Sequence, residues 1–182
     1  MDKKNQPKPT TVTKALSRWQ KQHKDISPTE AEKICLIMEI PLIEKIEPLA
    51  ISGLVKCVHL SFSTNNIDKI PQMPNLRNLK ILSLSRNRIK HIKGLEEIGD
   101  NLEQLWLSYN KIDSLSHLHT CRKLEVLFIS NNLIAKWDEI DKLKDLTKIN
   151  KVLFRGNPIY NETKGLEMDT PLLEILKRVP AI

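Results

Sequence analysis

Along the middle of the chain, apolar and polar residues alternate for a few positions, an asparagine follows, and one aliphatic residue closes the phrase. The phrases are Leu60-Ser61-Phe62-Ser63-Thr64-Asn65-Asn66-Ile67, Leu82-Ser83-Leu84-Ser85-Arg86-Asn87-Arg88-Ile89, Leu105-Trp106-Leu107-Ser108-Tyr109-Asn110-Lys111-Ile112, Leu127-Phe128-Ile129-Ser130-Asn131-Asn132-Leu133-Ile134 and Val152-Leu153-Phe154-Arg155-Gly156-Asn157-Pro158-Ile159. A period of two predicts a short strand with one apolar face. The asparagines Asn65, Asn87, Asn110, Asn132 and Asn157 stand 22, 23, 22 and 25 residues apart. Such a near-constant interval predicts stacked units, each covering the core of the next.

The phrase L-x-L-x-x-N-x-I is the core of a leucine-rich repeat. It predicts an α/β fold: a right-handed solenoid with about six parallel strands on a concave face, short helices on the convex side and helical caps at both ends. Residues 1–33 are expected to form a basic tail and capping helices, 34–160 the repeats, and 161–182 a C-terminal capping helix. Val12, Leu16 and Trp19 fall on one face of a first helix, and Ser27-Pro28-Thr29-Glu30 has the form of a second helix start. Leu36, Met38 and Ile43 outline a degenerate first repeat in which Pro41 stands where the asparagine belongs. Gly94 and Gly99 bracket a short helical segment. Asp138 to Leu146 reads as a longer convex-side helix, with Ile140 and Leu143 at helical spacing. Thr170-Pro171 opens a last helix whose Leu172, Ile175, Leu176 and Val179 would cover the final core layer.

Within each unit the two alternating apolar residues point inward. The asparagine amide, with donors and an acceptor to offer, is expected to bond backbone groups that the turn leaves unpaired in its own repeat and the next. Stacking makes a ladder of Asn65, Asn87, Asn110, Asn132 and Asn157, structural rather than ligand-binding. The remaining strand positions carry His59, Ser61, Ser63, Ser83, Ser85, Ser108 and Ser130, so one sheet face is open to water. Trp106, Phe128 and Leu153 break that rule at the same position in three successive repeats. Val126 adds apolar area on the same face, and Tyr109 and Arg155 lie at its rim. Three apolar side chains in register, with aromatic and Arg neighbours, point to a protein-binding patch.

Composition narrows the classes. Of 182 residues, 40% are hydrophobic and 28% charged, which reads as a soluble domain with no membrane partner. The first residues bear Lys and Pro without an apolar core, so no secretory signal is expected. Cys35, Cys57 and Cys121 are far apart and form no C-x-x-C pair, which argues against zinc or a disulfide framework and for a reducing compartment. His117-Leu118-His119 is a poor metal site without further ligands nearby. The net charge of +7 is concentrated in the first 27 residues, as a solvated face or an attraction for an acidic partner. No aromatic motif of a nucleic-acid binder is present. No nucleophile–base arrangement or phosphate-binding glycine pattern stands out, so the chain is read as non-catalytic and free of cofactors.

Ala15-Leu16-x-Arg18-Trp19, Ile40-Pro41-x-Ile43-Glu44-Lys45 and Leu60-Ser61-x-Ser63-Thr64-Asn65 continue into Leu102-Glu103-x-Leu105-Trp106-x-Ser108-Tyr109-Asn110. With Ser130-Asn131-Asn132-Leu133, Gly156-Asn157-Pro158 and Lys177-Arg178-Val179-Pro180, these stretches resemble the axonemal outer-arm dynein light chain 1 family over nearly the whole chain. The family continues past the Val-Pro with a basic, Leu-containing tail, whereas this sequence stops at Ala181-Ile182. The resemblance implies a protein without enzymatic activity that binds a dynein heavy chain near its microtubule-binding domain at the stalk tip. It would modulate the motor in the cytoskeleton of the ciliary or flagellar axoneme, as a monomer within a larger cytoplasmic complex. Tubulin is a further implied partner. Family contacts use the strand-bearing face, which maps here to Trp106, Phe128 and Leu153, with Tyr109 and Arg155 nearby. The repeat core alone also fits a general intracellular adaptor of the phosphatase-regulatory or spliceosomal type.

Overall fold

The computed structural model describes residues 7–160, 170–179 and 182. Its strands are β1 (Lys33–Cys35), β2 (His59–Ser61), β3 (Ile81–Ser83), β4 (Gln104–Trp106), β5 (Val126–Phe128) and β6 (Lys151–Leu153). All neighbours pair in parallel, in the order β1-β2-β3-β4-β5-β6. Each strand is one rung of a leucine-rich repeat solenoid, joined to the next by a crossover of the right-handed sense that parallel connections take.

The alternation dictates the core. Leu60 and Phe62, Leu82 and Leu84, Leu105 and Leu107, and Leu127 and Ile129 are fully buried, as are the closing residues Ile67, Ile89, Ile112 and Ile134. Each such side chain contributes about 1.5–3 kcal/mol by leaving water. They belong to one continuous cluster running the length of the stack.

Helix α1 (Val12–Gln22) closes the first layer with Val12, Ala15 and Trp19. The Thr11 hydroxyl caps it by accepting from Lys14 N at 3.3 Å, and Val12 N donates to the Glu47 carboxylate at 3.2 Å. Arg18 ties the helix to the first repeat through Glu39 (2.9 Å) and the Ile40 carbonyl (3.0 Å).

The structure corrects five local expectations. Ser27 to Glu30 makes one turn, not a helix: Glu30 N and Ala31 N both donate to the Ser27 carbonyl, and β1 begins at Lys33. In the first repeat the inward pair is Ile34 and Leu36, while Met38 is 60% exposed in a turn with φ 53°. Between Gly94 and Gly99 the chain only turns, and a Cβ on Gly99 would meet the Thr120 carbonyl at 2.6 Å. The convex helices are short: α2 covers Pro48–Ile51, and α3 covers Trp137–Asp141 before giving way to turns through Asp145. Between α3 and β6, which begins at Lys151 to pair with β5, the chain runs through turns instead. The last helix, α4 (Thr170–Arg178), buries Pro171, Ile175 and Val179, whereas Leu172 is 50% exposed and Leu176 also faces outward. Its orientation is set from α3, where Arg178 grips Asp141 at 2.8 Å and stacks over Trp137 at 5.4 Å. The expected segment 161–169 lies outside the described residues.

All three cysteines are free thiols. Burial pushes Cys57 and Cys121 up to about 11 from an ordinary 9.0. A thiol reagent at neutral pH should therefore titrate Cys35 promptly and the other two only after denaturation; rapid labelling of all three in the native protein would contradict this burial. Both buried thiols stay neutral in the fold but ionise near 9 in the unfolded chain. Their contribution to stability is thus complete below that pH and lost as pH rises toward about 11.

Candidate functional site: the concave face

Three columns of side chains run across the strands on the open face. The first is Lys33, His59, Ile81, Gln104, Val126 and Lys151; the second is Cys35, Ser61, Ser83, Trp106, Phe128 and Leu153. The ladder continues beyond the strands, as in Leu107 N to Phe128 O (2.6 Å) and Tyr109 N to Ser130 O (2.8 Å). A third column, Ile37, Ser63, Ser85, Ser108, Ser130 and Arg155, follows from that pairing. The next residue on each rung, Met38, Thr64, Arg86, Tyr109, Asn131 or Gly156, takes positive φ, and on the last five rungs it directly precedes the asparagine. At Gly156 φ reaches 83° and an added Cβ would meet the Asn131 side-chain amide, so any other residue there is strained and must displace that amide.

The asparagines repeat one hydrogen-bond pattern. The Oδ1 of Asn65, Asn87, Asn110, Asn132 and Asn157 accepts at 2.9–3.0 Å from the N–H of Ile43, Ile67, Ile89, Ile112 and Ile134, each in the preceding repeat. Each Nδ2 donates to a carbonyl of its own repeat and to one of the repeat before, for Asn110 those of Leu107 and Leu84. Four carbonyls, of Phe62, Leu84, Leu107 and Ile129, therefore accept from two successive asparagines.

The face divides in two. Toward β1 it is a trough of about 370 Å³ whose floor includes Ser61, Ser63, Ser83 and Ser85. Ser61 and Ser83, paired on adjacent strands, are only 3% exposed. Ser63 and Ser83 hydroxyls bond at 2.8 Å. Toward β6 it is apolar. Trp106 lies 5.9 Å from Phe128 between ring centroids, and Leu153, beside Phe128 on β6, is 47% exposed. Val126 is half-buried on the same face, and a hollow of about 800 Å³ opens beside Leu153 between Tyr109 and Arg155.

Three side chains in contact with the patch were not placed there by the sequence. His59 meets the Trp106 indole edge-on at 5.8 Å, and desolvation, aided by Lys33, holds its imidazole below the usual 6.5. Lys151 sits 5.8 Å over the Phe128 ring, and Arg86 lies 4.4 Å over Tyr109. The Trp106 indole N–H is buried without a hydrogen-bond partner among the described residues. Lys151 was findable, being two residues before Leu153 and so of the same parity. Arg86 precedes Asn87 as Tyr109 precedes Asn110. His59 was placed on the face but not against a ring two strands away.

Among the described residues no group of three or more His, Cys, Asp and Glu side chains converges as a metal site would require. The His117 and His119 rings lie 6.5 Å apart, and the His119 ring bonds the Ser116 carbonyl at 2.8 Å. What the face offers is surface: an aromatic and aliphatic row, edged by cations, beside a polar trough.

The leucine-rich repeat model matches residues 38–142. A dynein axonemal light chain 1 of Chlamydomonas reinhardtii is 50% identical over 95% of this chain and 87% of its own length. The Homo sapiens protein of the same name is 47% identical over 96% and 90%. Among solved structures, an internalin C2 of Listeria monocytogenes superposes with a TM-score of 0.54 at 28% identity, over 64% of this chain and 53% of that one. A second Listeria internalin reaches 0.61 at 19% identity over 86% and 50%, a likeness of fold alone. The chain spans about half the length of those internalins.

Proposed function

Because the chain belongs to the dynein axonemal light chain 1 family of leucine-rich repeat proteins, we propose that it is a non-catalytic light chain of an axonemal dynein. In this reading it sits in the ciliary or flagellar axoneme. Its concave face docks on the dynein heavy chain near the microtubule-binding domain and thereby modulates motility. The observation that carries the reading is the row Trp106, Phe128 and Leu153, brought side by side on consecutive strands and left open. Exposed apolar patches of this kind mark protein interfaces. Trp, Tyr and Arg, the types found here at Trp106, Tyr109 and Arg155, are enriched among residues that dominate binding energy.

The test is saturable binding of the immobilised light chain to a recombinant heavy-chain fragment containing the stalk tip, with a fragment lacking the tip as control. Equal binding of both fragments would overturn the assignment of the stalk tip. Arg155, exposed at the rim, should act through long-range attraction. Arg155→Glu is expected to slow association several-fold at low salt and to leave dissociation nearly unchanged, the difference shrinking as salt rises. A salt-independent change in dissociation would place Arg155 inside the contact instead.

A further inference from the structure

On the proposed docking face, which this inference takes as given, the charges have one sign. Across the three side-chain columns the charged residues are Lys33, Lys151 and Arg155, with no Asp or Glu. Glu103 and Glu125, which precede β4 and β5, have the opposite parity, and Lys80 neutralises Glu103 at 2.9 Å. Two of the three cations bracket the apolar row: Lys151 over Phe128 on one side, Arg155 beyond Leu153 on the other. Neither Lys151 nor Arg155 has a carboxylate partner among the described residues. Arg86, over Tyr109, adds a further cation at the rim.

The spacing of the row also selects its occupant. Neighbouring strands lie about 4.8 Å apart, so three rungs from Trp106 to Leu153 span about 9.6 Å. An α-helix laid across the strands returns a side chain to the same face about every 5.4 Å, so residues at i, i+3 or i+4, and i+7 match the three rungs. An extended segment returns one only about every 6.6–6.8 Å and drifts out of step by the third rung.

We propose that the concave face receives a single amphipathic α-helix of the heavy chain, lying across β4, β5 and β6, with its apolar stripe on Trp106, Phe128 and Leu153 and acidic residues on both flanks facing Lys151 and Arg155. The helix-in-groove mode uses anchors at this spacing. The flanking carboxylates would fix its rotation about its own axis, since turning the stripe away from the row separates the charges.

Two experiments on the full chain with the stalk-tip fragment test this. In the first, a photoreactive residue is placed singly at Gln104, Val126 and Lys151, beside the row on the rungs of β4, β5 and β6. The captured heavy-chain positions should advance by three or four residues per rung. An advance of one or two residues per rung would overturn the helix. In the second, Lys151→Glu/Arg155→Glu is expected to weaken binding more than tenfold at low salt, and a fragment whose captured acidic flank is changed to Lys should restore it. Wild-type affinity in the charge-reversed variant, with Phe128→Ala still losing binding, would sink the acidic-flank assignment alone. If neither variant alters binding and none of the three positions captures the fragment, the concave-face reading itself fails.

Discussion

Asn110→Ala should lower the unfolding free energy by about 2–6 kcal/mol, a large share of the 5–15 kcal/mol typical of a domain. The figure follows from which groups are stranded. The Ile89 N–H loses its acceptor outright, since Asn110 Oδ1 at 2.9 Å is its partner, and a buried orphan of that kind costs about 1–3 kcal/mol. The carbonyls of Leu84 and Leu107 each lose one donor but keep another, from Asn87 at 3.0 Å and Asn132 at 2.9 Å. Each of those two losses costs only the net worth of a hydrogen bond, about 0.5–1.5 kcal/mol. Asn110→Asp separates donor from acceptor: it keeps the shape and the Oδ1 acceptor, yet turns a carboxylate toward two carbonyl oxygens. It should be no more stable than the alanine variant at neutral pH. Urea unfolding of the three proteins side by side is the measurement. An unchanged midpoint for Asn110→Ala, or wild-type stability for the aspartate, would refute the shared-carbonyl ladder.

The strands, their parity and the stacking order were legible because a period of two and a repeat near 22 residues leave almost no freedom. A slip of one residue would expose every Leu of a rung and bury its Ser. The first repeat was not so constrained. Counting back from Pro41 by the regular template lands on Leu36 and Met38, whereas pairing with β2 makes Ile34 and Leu36 the inward residues. The discrepancy is a turn two residues longer than in later repeats, visible only once the neighbouring strand supplies the register. Helices were over-read for a related reason. Ser27-Pro28-Thr29-Glu30 has the local chemistry of a helix start, but β1 must begin at Lys33 to pair with β2, and one turn is all that fits. On α4 the apolar residues outnumber the positions the core can accept. Packing against α3 through Arg178 chose Pro171, Ile175 and Val179 and left Leu172 and Leu176 outside. At the patch, parity alone named the row, but contacts between strands and rims, such as His59 on Trp106, depend on rotamers that a sequence does not specify.

Phe128→Ala and Trp106→Ala are each expected to weaken binding to the stalk-tip fragment about tenfold or more, because a central aromatic anchor is worth roughly 2 kcal/mol and each decade about 1.4. Their effects on folding should be small and unequal to that loss. Both rings are only half-buried in the free protein and touch each other at 5.9 Å, an aromatic contact worth about 0.5–1.5 kcal/mol. For a chain of this size 1 kcal/mol moves the melting temperature by roughly 2–4 °C, so each variant should melt within a few degrees of wild type. Leu153→Ala removes a side chain that is 47% exposed and joins no aromatic pair, so its melting temperature should not change while its binding still falls. Thermal melts run beside calorimetric titrations separate the two effects. Wild-type affinity in both aromatic variants would mean that the heavy chain docks elsewhere. Melting temperatures lowered by ten degrees or more would show that the row supports the fold, and that the loss of binding says nothing about contact. The discriminating result is therefore a divergence between two measurements on one protein. A row that closes the core must lower stability and affinity together, whereas a row built to be covered by a partner must lose affinity alone.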